Sequence, residues 1–352
     1  ACRDGAWEQL PEILAYLDSP KCDPAAKVAT LRLLNNCPDP DKWTAIRKQL
    51  DSDSEWVRSA AAASLEYDMS PESTQLLLKA AGDDFRTVRI RAAAALLGRN
   101  LESYSEEERK TFEAAHDEYW NSLVIWPDRW STHFNQGIYF DRKADPDKAL
   151  SAYLKSMELR DDVIQPMINA SMVYARSGDS TNAYELLKKA HEVEPESPQV
   201  NFNMALIEAE FGMMDESEMH LRAVLKVQPD MAQAAYNLGV LLCQQKKEEG
   251  YEWLRNAAEL VPENWEYLSS YLYFLDQAGR EAEIEAALKE AVATGRAPAE
   301  AYFTLAANYQ NEGALPAAAE IYRKATFAKQ LDMDAKRYAK RMEQVIRAMM
   351  EQ

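Results

Sequence analysis

Apolar residues recur with helical spacing along nearly the whole chain, in short runs divided by proline, glycine and acidic residues, and alternating β-branched runs are missing. From residue 130 onward the pattern also repeats. The run AAYNLGVLL, residues 234–242, sets Asn237 in an otherwise apolar helix, and steps of 34 residues back lead to Asn203, Asn169 and Asn135. A residue returning at one fixed period marks a stack of copies. Small residues open the second helix of each copy at Ala149, Ala183, Ser217, Gly250 and Ala318, with Ile284 as the exception, at spacings of 34, 34, 33, 34 and 34. Seven residues further on stand Ser156, Ala190, Val224, Ala257, Ala291 and Ala325. Two small side chains two turns apart let a neighbouring helix come close, and a large one between them fills the gap: Tyr153, Leu187, Leu221, Leu254, Leu288 and Tyr322. Pro195, Pro229 and Pro262 stop the second helix, while Gly178, Gly212, Gly279 and Gly313 occupy the turn inside each pair. The pattern predicts six antiparallel helix pairs over residues 130–330. A terminal helix over 331–352, charged on its outer side, would cover the last apolar face.

This pattern resembles tetratricopeptide (TPR) repeats. Two departures are local: Ile284 in the fifth copy, and a fourth copy one residue short in its QQKKEEG turn. Residues 1–98 follow another period, in which Lys27, Arg58 and Arg89 are 31 apart, as are Leu34, Leu65 and Leu96. This resembles HEAT repeats, which implies a ladder between loop aspartates and the early arginine of each second helix, with Asp51, Asp53 and Asp83 facing Arg58 and Arg89. Residues 99–129 read as a single junction helix opened by the capping box Ser105 to Glu108. The expected fold is therefore an all-α superhelix, or solenoid: HEAT-like repeats, a junction helix, six TPR repeats and a capping helix.

Composition narrows the function. Lys and Arg number 40 against 58 Asp and Glu, a net charge of −18, and such a surface repels phosphate backbones, which argues against nucleic acid. No apolar run is long enough to span a bilayer, and the first twenty residues lack a signal peptide's basic start and apolar centre; the expectation is a soluble chain with any export signal outside it. Phosphate-cradling glycine motifs are missing, and His116, His133, His191 and His220 never occur as H-x-x-x-H or beside a cysteine, so no metal site, no cofactor in this chain and no enzymatic activity are expected. Four cysteines, Cys2, Cys22, Cys37 and Cys243, form no C-x-x-C pair. Cys2 and Cys37 fall at the same end of the first hairpin, which would allow a disulfide in an oxidising compartment; unrelated thiols are the alternative.

The repeating asparagines are the candidate site. In a TPR pair the first helix lines the concave face, where Gln165, Gln199 and Gln233 lie one turn before Asn169, Asn203 and Asn237, and Phe134, Phe202 and Tyr236 lie beside the asparagines. An asparagine offers a donor and an acceptor to the backbone of an extended peptide. Helix pairs about 10 Å apart and a strand rise of about 3.3 Å would match one asparagine to roughly every third peptide residue. Alternatively, the asparagines bridge or cap helices within the stack. The ladder fades at Ser270 and Thr304, so a groove of this kind belongs to the first four copies.

HEAT-like pairs leading through one helix into TPR pairs is an uncommon order. Ser54–Trp120 followed by Thr132–Phe140 resembles the C-terminal half of exported multihaem c-type cytochromes whose upstream haem domain is related to cytochrome c554. The resemblance implies a non-enzymatic scaffold, periplasmic or extracellular, whose protein partner is a multihaem c-type cytochrome or its electron-transfer assembly. The alternative is a peptide-binding TPR module for an unrelated partner, with a cytoplasmic location also open.

Overall fold

The computed structural model describes residues 7–19 and 21–351, and among these every regular element is helical. The first array holds α1 (Leu10–Leu17), α2 (Pro24–Leu34), α3 (Lys42–Lys48), α4 (Glu55–Ser64), α5 (Pro71–Ala80) and α6 (Arg86–Leu96). Then come α7 (Glu106–Leu123), α8 (Trp130–Arg142), α9 (Pro146–Leu159), α10 (Ile164–Arg176), α11 (Ser180–Val193), α12 (Pro198–Glu210) and α13 (Met214–Val227). The last seven are α14 (Ala232–Gln244), α15 (Glu249–Leu260), α16 (Trp265–Gln277), α17 (Glu281–Ala293), α18 (Ala299–Asn311), α19 (Leu315–Phe327) and α20 (Met333–Met350). The chain divides into two units, Ala1–Ala183 and Tyr184–Gln352. Each is a stack of helical hairpins. Among the described residues no helix is long and apolar enough to cross a membrane.

Helix starts follow from local chemistry. Asp23, Ser70, Asp145, Ser197 and Asp332 each accept a backbone N–H of the first turn, and proline follows the first four of these caps directly. Ser105 and Glu108 form the expected reciprocal capping box of α7.

In the first array Leu31, Leu34, Ile46, Val57, Leu65, Leu77 and Val88 are fully buried in one core. Each large aliphatic side chain sealed in this way contributes about 1.5–3 kcal/mol. The expected loop ladder is present in altered form. Arg58 grips Asp83 through two hydrogen bonds, 2.7 and 3.1 Å, and donates to the carbonyl of Ser52 in its own loop at 2.7 Å. Asp51 and Asp53 do not take the places expected of them: Asp51 pairs with Lys79 at 3.2 Å, and Asp53 offers Arg58 only its carbonyl, at 3.3 Å. Nor does Arg89 meet an aspartate side chain; it holds Glu118 of α7 and the carbonyls of Asp83 and Asp84. The reason is direction. Each guanidinium reaches forward to the acid of the next layer and leaves its own loop to supply carbonyls, so the ladder ends on α7. Lys27 follows the same rule with a neutral partner, Gln49, at 3.2 Å.

In the longer-period hairpins the small positions are buried as the spacing predicts: Ala149 and Ala318 are fully enclosed, as are Tyr153, Leu254 and Leu288 at the large position, while Ile284 is only partly buried. At Gly239, a methyl group would lie 2.8 Å from the backbone nitrogen of Leu254 and 3.0 Å from the carbonyl oxygen of Gly250, so α14 and α15 are in near backbone contact there. The turn inside each pair is left-handed, with φ of 81, 78, 69 and 75° at Gly178, Gly212, Gly279 and Gly313. The equivalent residues of the first and fourth copies are Ala144 and Lys246, at φ 53 and 59°. These two bear a steric cost that glycine avoids.

Candidate functional site

The first unit holds a cleft of about 790 Å³ across α2, α4 and α6, bounded at one end by α7 and α8. Its origin lies in side-chain size. The central helix, α4, turns Ser59, Ala60, Ala63 and Ser64 to this face, which makes a low floor, while the flanking helices raise Arg32 and Arg91 as walls. Trp56, at the start of α4, stands 63% exposed beside the floor. Neither Arg32 nor Arg91 has an ion pair or hydrogen bond among the described residues, and no carboxylate lines the cleft. Two uncommitted guanidinium groups are notable in a chain of net charge −18. Asn35, on the wall, holds a buried Oδ1 with no hydrogen-bond partner. A buried polar atom left unsatisfied is uncommon in a folded chain.

The asparagines fall two in each unit. Asn135 is exposed, lines the cleft and makes no hydrogen bond among the described residues. Asn169 is half-buried and donates to the Tyr153 hydroxyl at 3.4 Å, so it bridges α10 to α9. Asn203 and Asn237 donate to the carbonyls of Gln199 and Gln233, one turn earlier on their own helices, at 2.9 and 2.7 Å. Gln165, Gln199 and Gln233 are exposed. The aromatic neighbours have packing work: Phe134 lies 6.0 Å from the Tyr153 ring, Phe202 rests on the core of the second unit, and Tyr236 stacks 4.9 Å from Tyr267. The Tyr236 hydroxyl also meets Ser270 at 3.2 Å, where the fifth copy replaces asparagine.

A buried polar cluster in the second unit escaped the reading of the sequence. Glu208 is fully buried, its Oε2 lies 2.7 Å from Nδ1 of His220, and its Oε1 accepts from the Tyr184 hydroxyl at 3.0 Å. The His191 ring stands edge-on to His220 at 5.4 Å. Burial, the hydrogen bond to Glu208 and its charge push the Tyr184 hydroxyl up to about 12. Burial, reinforced by His220, holds His191 below the usual imidazole range. The signal was in the register: Glu208 stands where the adjoining copies have Tyr174 and Leu242, and His220 where they have Leu186 and Trp253. Two apolar positions exchanged together for a complementary polar pair imply contact.

The remaining candidates have structural roles. His116 bonds the Tyr139 hydroxyl and His133 the carbonyl of Pro127, each at 2.8 Å. Among the described residues no group of three or more His, Cys, Asp or Glu is arranged to hold a metal ion. Cys22, Cys37 and Cys243 are buried, and burial pushes the Cys243 thiol up to about 11, which keeps it protonated. Cys2, and with it the expected bridge to Cys37, lies outside the described residues.

No curated protein matches this chain. Among solved structures, MamA from Desulfovibrio magneticus RS-1 is similar at 18% identity over 46% of this chain and 92% of that one, with a TM-score of 0.43. A second MamA crystal structure has 13% identity over 45% of this chain and 95% of that one, TM-score 0.39. YrrB, described as a TPR protein with an unusual peptide-binding site, has 20% identity over 56% of this chain and 96% of that one, TM-score 0.40. A family model for HEAT repeats matches residues 10–98, the stretch that forms α1 to α6.

Proposed function

We propose that this chain is a non-enzymatic protein–protein interaction scaffold. The observation that carries the reading is the cleft of the first unit, where an exposed tryptophan and two unpaired arginines stand over a floor of alanine and serine. Exposed tryptophan and arginine around a concavity are the residue types that dominate binding energy at protein interfaces. The partner proposed is a multihaem c-type cytochrome or its extracytoplasmic electron-transfer assembly. Support comes from the resemblance of Ser54–Trp120 and Thr132–Phe140 to such proteins, and from a charge of −18 that would speed encounter with a basic partner. The test is affinity capture from source cells followed by haem staining. A haem protein held at low salt and released at high salt is the expected result; capture only of partners without haem would refute the cytochrome assignment.

A second reading, peptide capture by Asn135, Asn169, Asn203 and Asn237, draws support from one feature. Tethering of the Asn203 and Asn237 amides to their own helices fixes each side chain, which lowers the entropy cost of presenting its Oδ1 and remaining N–H to a ligand. Peptide affinity that survives Asn203→Ala together with Asn237→Ala would end this reading.

A further inference from the structure

We infer that the cleft across α2, α4 and α6 is a docking groove for an extended peptide segment of the partner that carries two carboxylates. The inference rests on the scaffold reading and gives the occupant a chemistry. Arg32 lies in the last turn of α2 and Arg91 in the middle of α6, with α4 between them. Both guanidinium groups are uncommitted, whereas Arg58 of α4 and Arg89 of α6 are locked into the loop ladder. The described arginines of this array thus fall into two sets, one spent on internal ion pairs and hydrogen bonds and one kept open.

Geometry sets the length of the segment. Two helix spacings amount to about 20 Å, which an extended chain covers in about six residues, so acidic side chains four to six residues apart can reach both arginines. Between them the small floor admits backbone rather than bulk, and Trp56 offers an apolar plane for one intervening side chain. Asn135, exposed and unbonded at the end of the cleft, can exchange hydrogen bonds with a peptide group. Charge adds selectivity. Two guanidinium groups and no carboxylate line the cleft, which draws such a segment to it within a chain of net charge −18.

Fluorescence anisotropy on the full chain tests this. The probe is a fluorescein-labelled ten-residue Gly/Ser peptide with one central leucine and two glutamates five residues apart; its twin carries glutamine in their place. The glutamate peptide should bind about tenfold or more tightly than the glutamine peptide, as charge-assisted bonds to two arginines require. Arg32→Ala with Arg91→Ala should abolish the difference, and Trp56→Ala should weaken both peptides several-fold. Circular dichroism matching that of the wild type shows that a variant is folded; should one fail to fold, the contrast between the two peptides on the wild-type chain still decides. Equal affinity for both peptides, no binding of either, or a contrast that persists in the double arginine variant overturns the assignment. Displacement by glutarate at the same concentration as by unlabelled peptide would overturn it too, by making the site one for small anions. Failure here with continued capture of a haem protein leaves the scaffold reading intact, so the two can fail separately.

Discussion

Ala144 and Lys246 occupy a backbone region that glycine takes in four of the six equivalent turns. Their Cβ atoms bear a cost on the order of 1 kcal/mol, accepted because each turn must still reverse the chain within one hairpin. Ala144→Gly and Lys246→Gly are therefore expected to stabilise the protein by about 0.5–1 kcal/mol each, an unusual direction for a glycine substitution. Equilibrium urea unfolding checks it, with Ser177→Gly, one residue before the left-handed position and at an ordinary φ of −85°, as a control expected to destabilise. Asp83 makes a second prediction. Burial alone would raise its pKa, but hydrogen bonds from Arg58 and from the Phe85 N–H outweigh it and hold the carboxyl below its ordinary 3.8. A depressed carboxylate stabilises the fold above the unfolded value and loses that contribution as pH falls below it. Asp83→Asn should therefore lower Tm at pH 7, and the gap from wild type should close below about pH 4. Asp51→Asn, at the exposed pair with Lys79, should change Tm little at either pH.

Hairpins are where the sequence was most legible. Helix positions from residue 130 could be read because side-chain size itself repeats: a small residue, a large one, a small one, then a stop. What could not be read was direction across a gap. The period of Arg58 and Arg89 announced a ladder, yet whether each arginine turned to its own loop or the next depended on where the neighbouring layer lay, and the acid that closed the ladder was Glu118 on a helix of another kind. The cleft was hidden for a related reason. Ser59, Ala60, Ala63 and Ser64 look like close-packing residues, and nothing local reveals that a cleft opens above them between α2 and α6. The buried pair in α12 and α13 yields the prediction for this level. His220→Leu leaves the Glu208 carboxyl without its imidazole and should cost about 3 kcal/mol, while Glu208→Leu added to it should recover most of that. A double-mutant cycle by urea unfolding measures the coupling; additive losses would show that the two side chains act independently.

Across the molecule, stability depends on closing the apolar face of the last hairpin. Helix α20 does this with Ala339 and Ile346, both fully buried, and with Tyr338 set 4.9 Å from the Phe303 ring. Truncation after Leu331 should expose that face, and the shortened chain should bind a hydrophobic dye and sediment as aggregates where the full chain does not. The Glu208 and His220 pair bears on this same stacked construction in another way. Arrays of near-identical modules can in principle assemble one module out of step, since leucine against leucine fits almost anywhere. Here a displaced partner would set a carboxyl group against Trp253 or Leu186 instead of His220. The third copy thus carries key and lock in one hairpin, so gain or loss of a neighbouring whole module by gene duplication or deletion leaves the pair together, whereas an exchange with its breakpoint between α12 and α13 would part it.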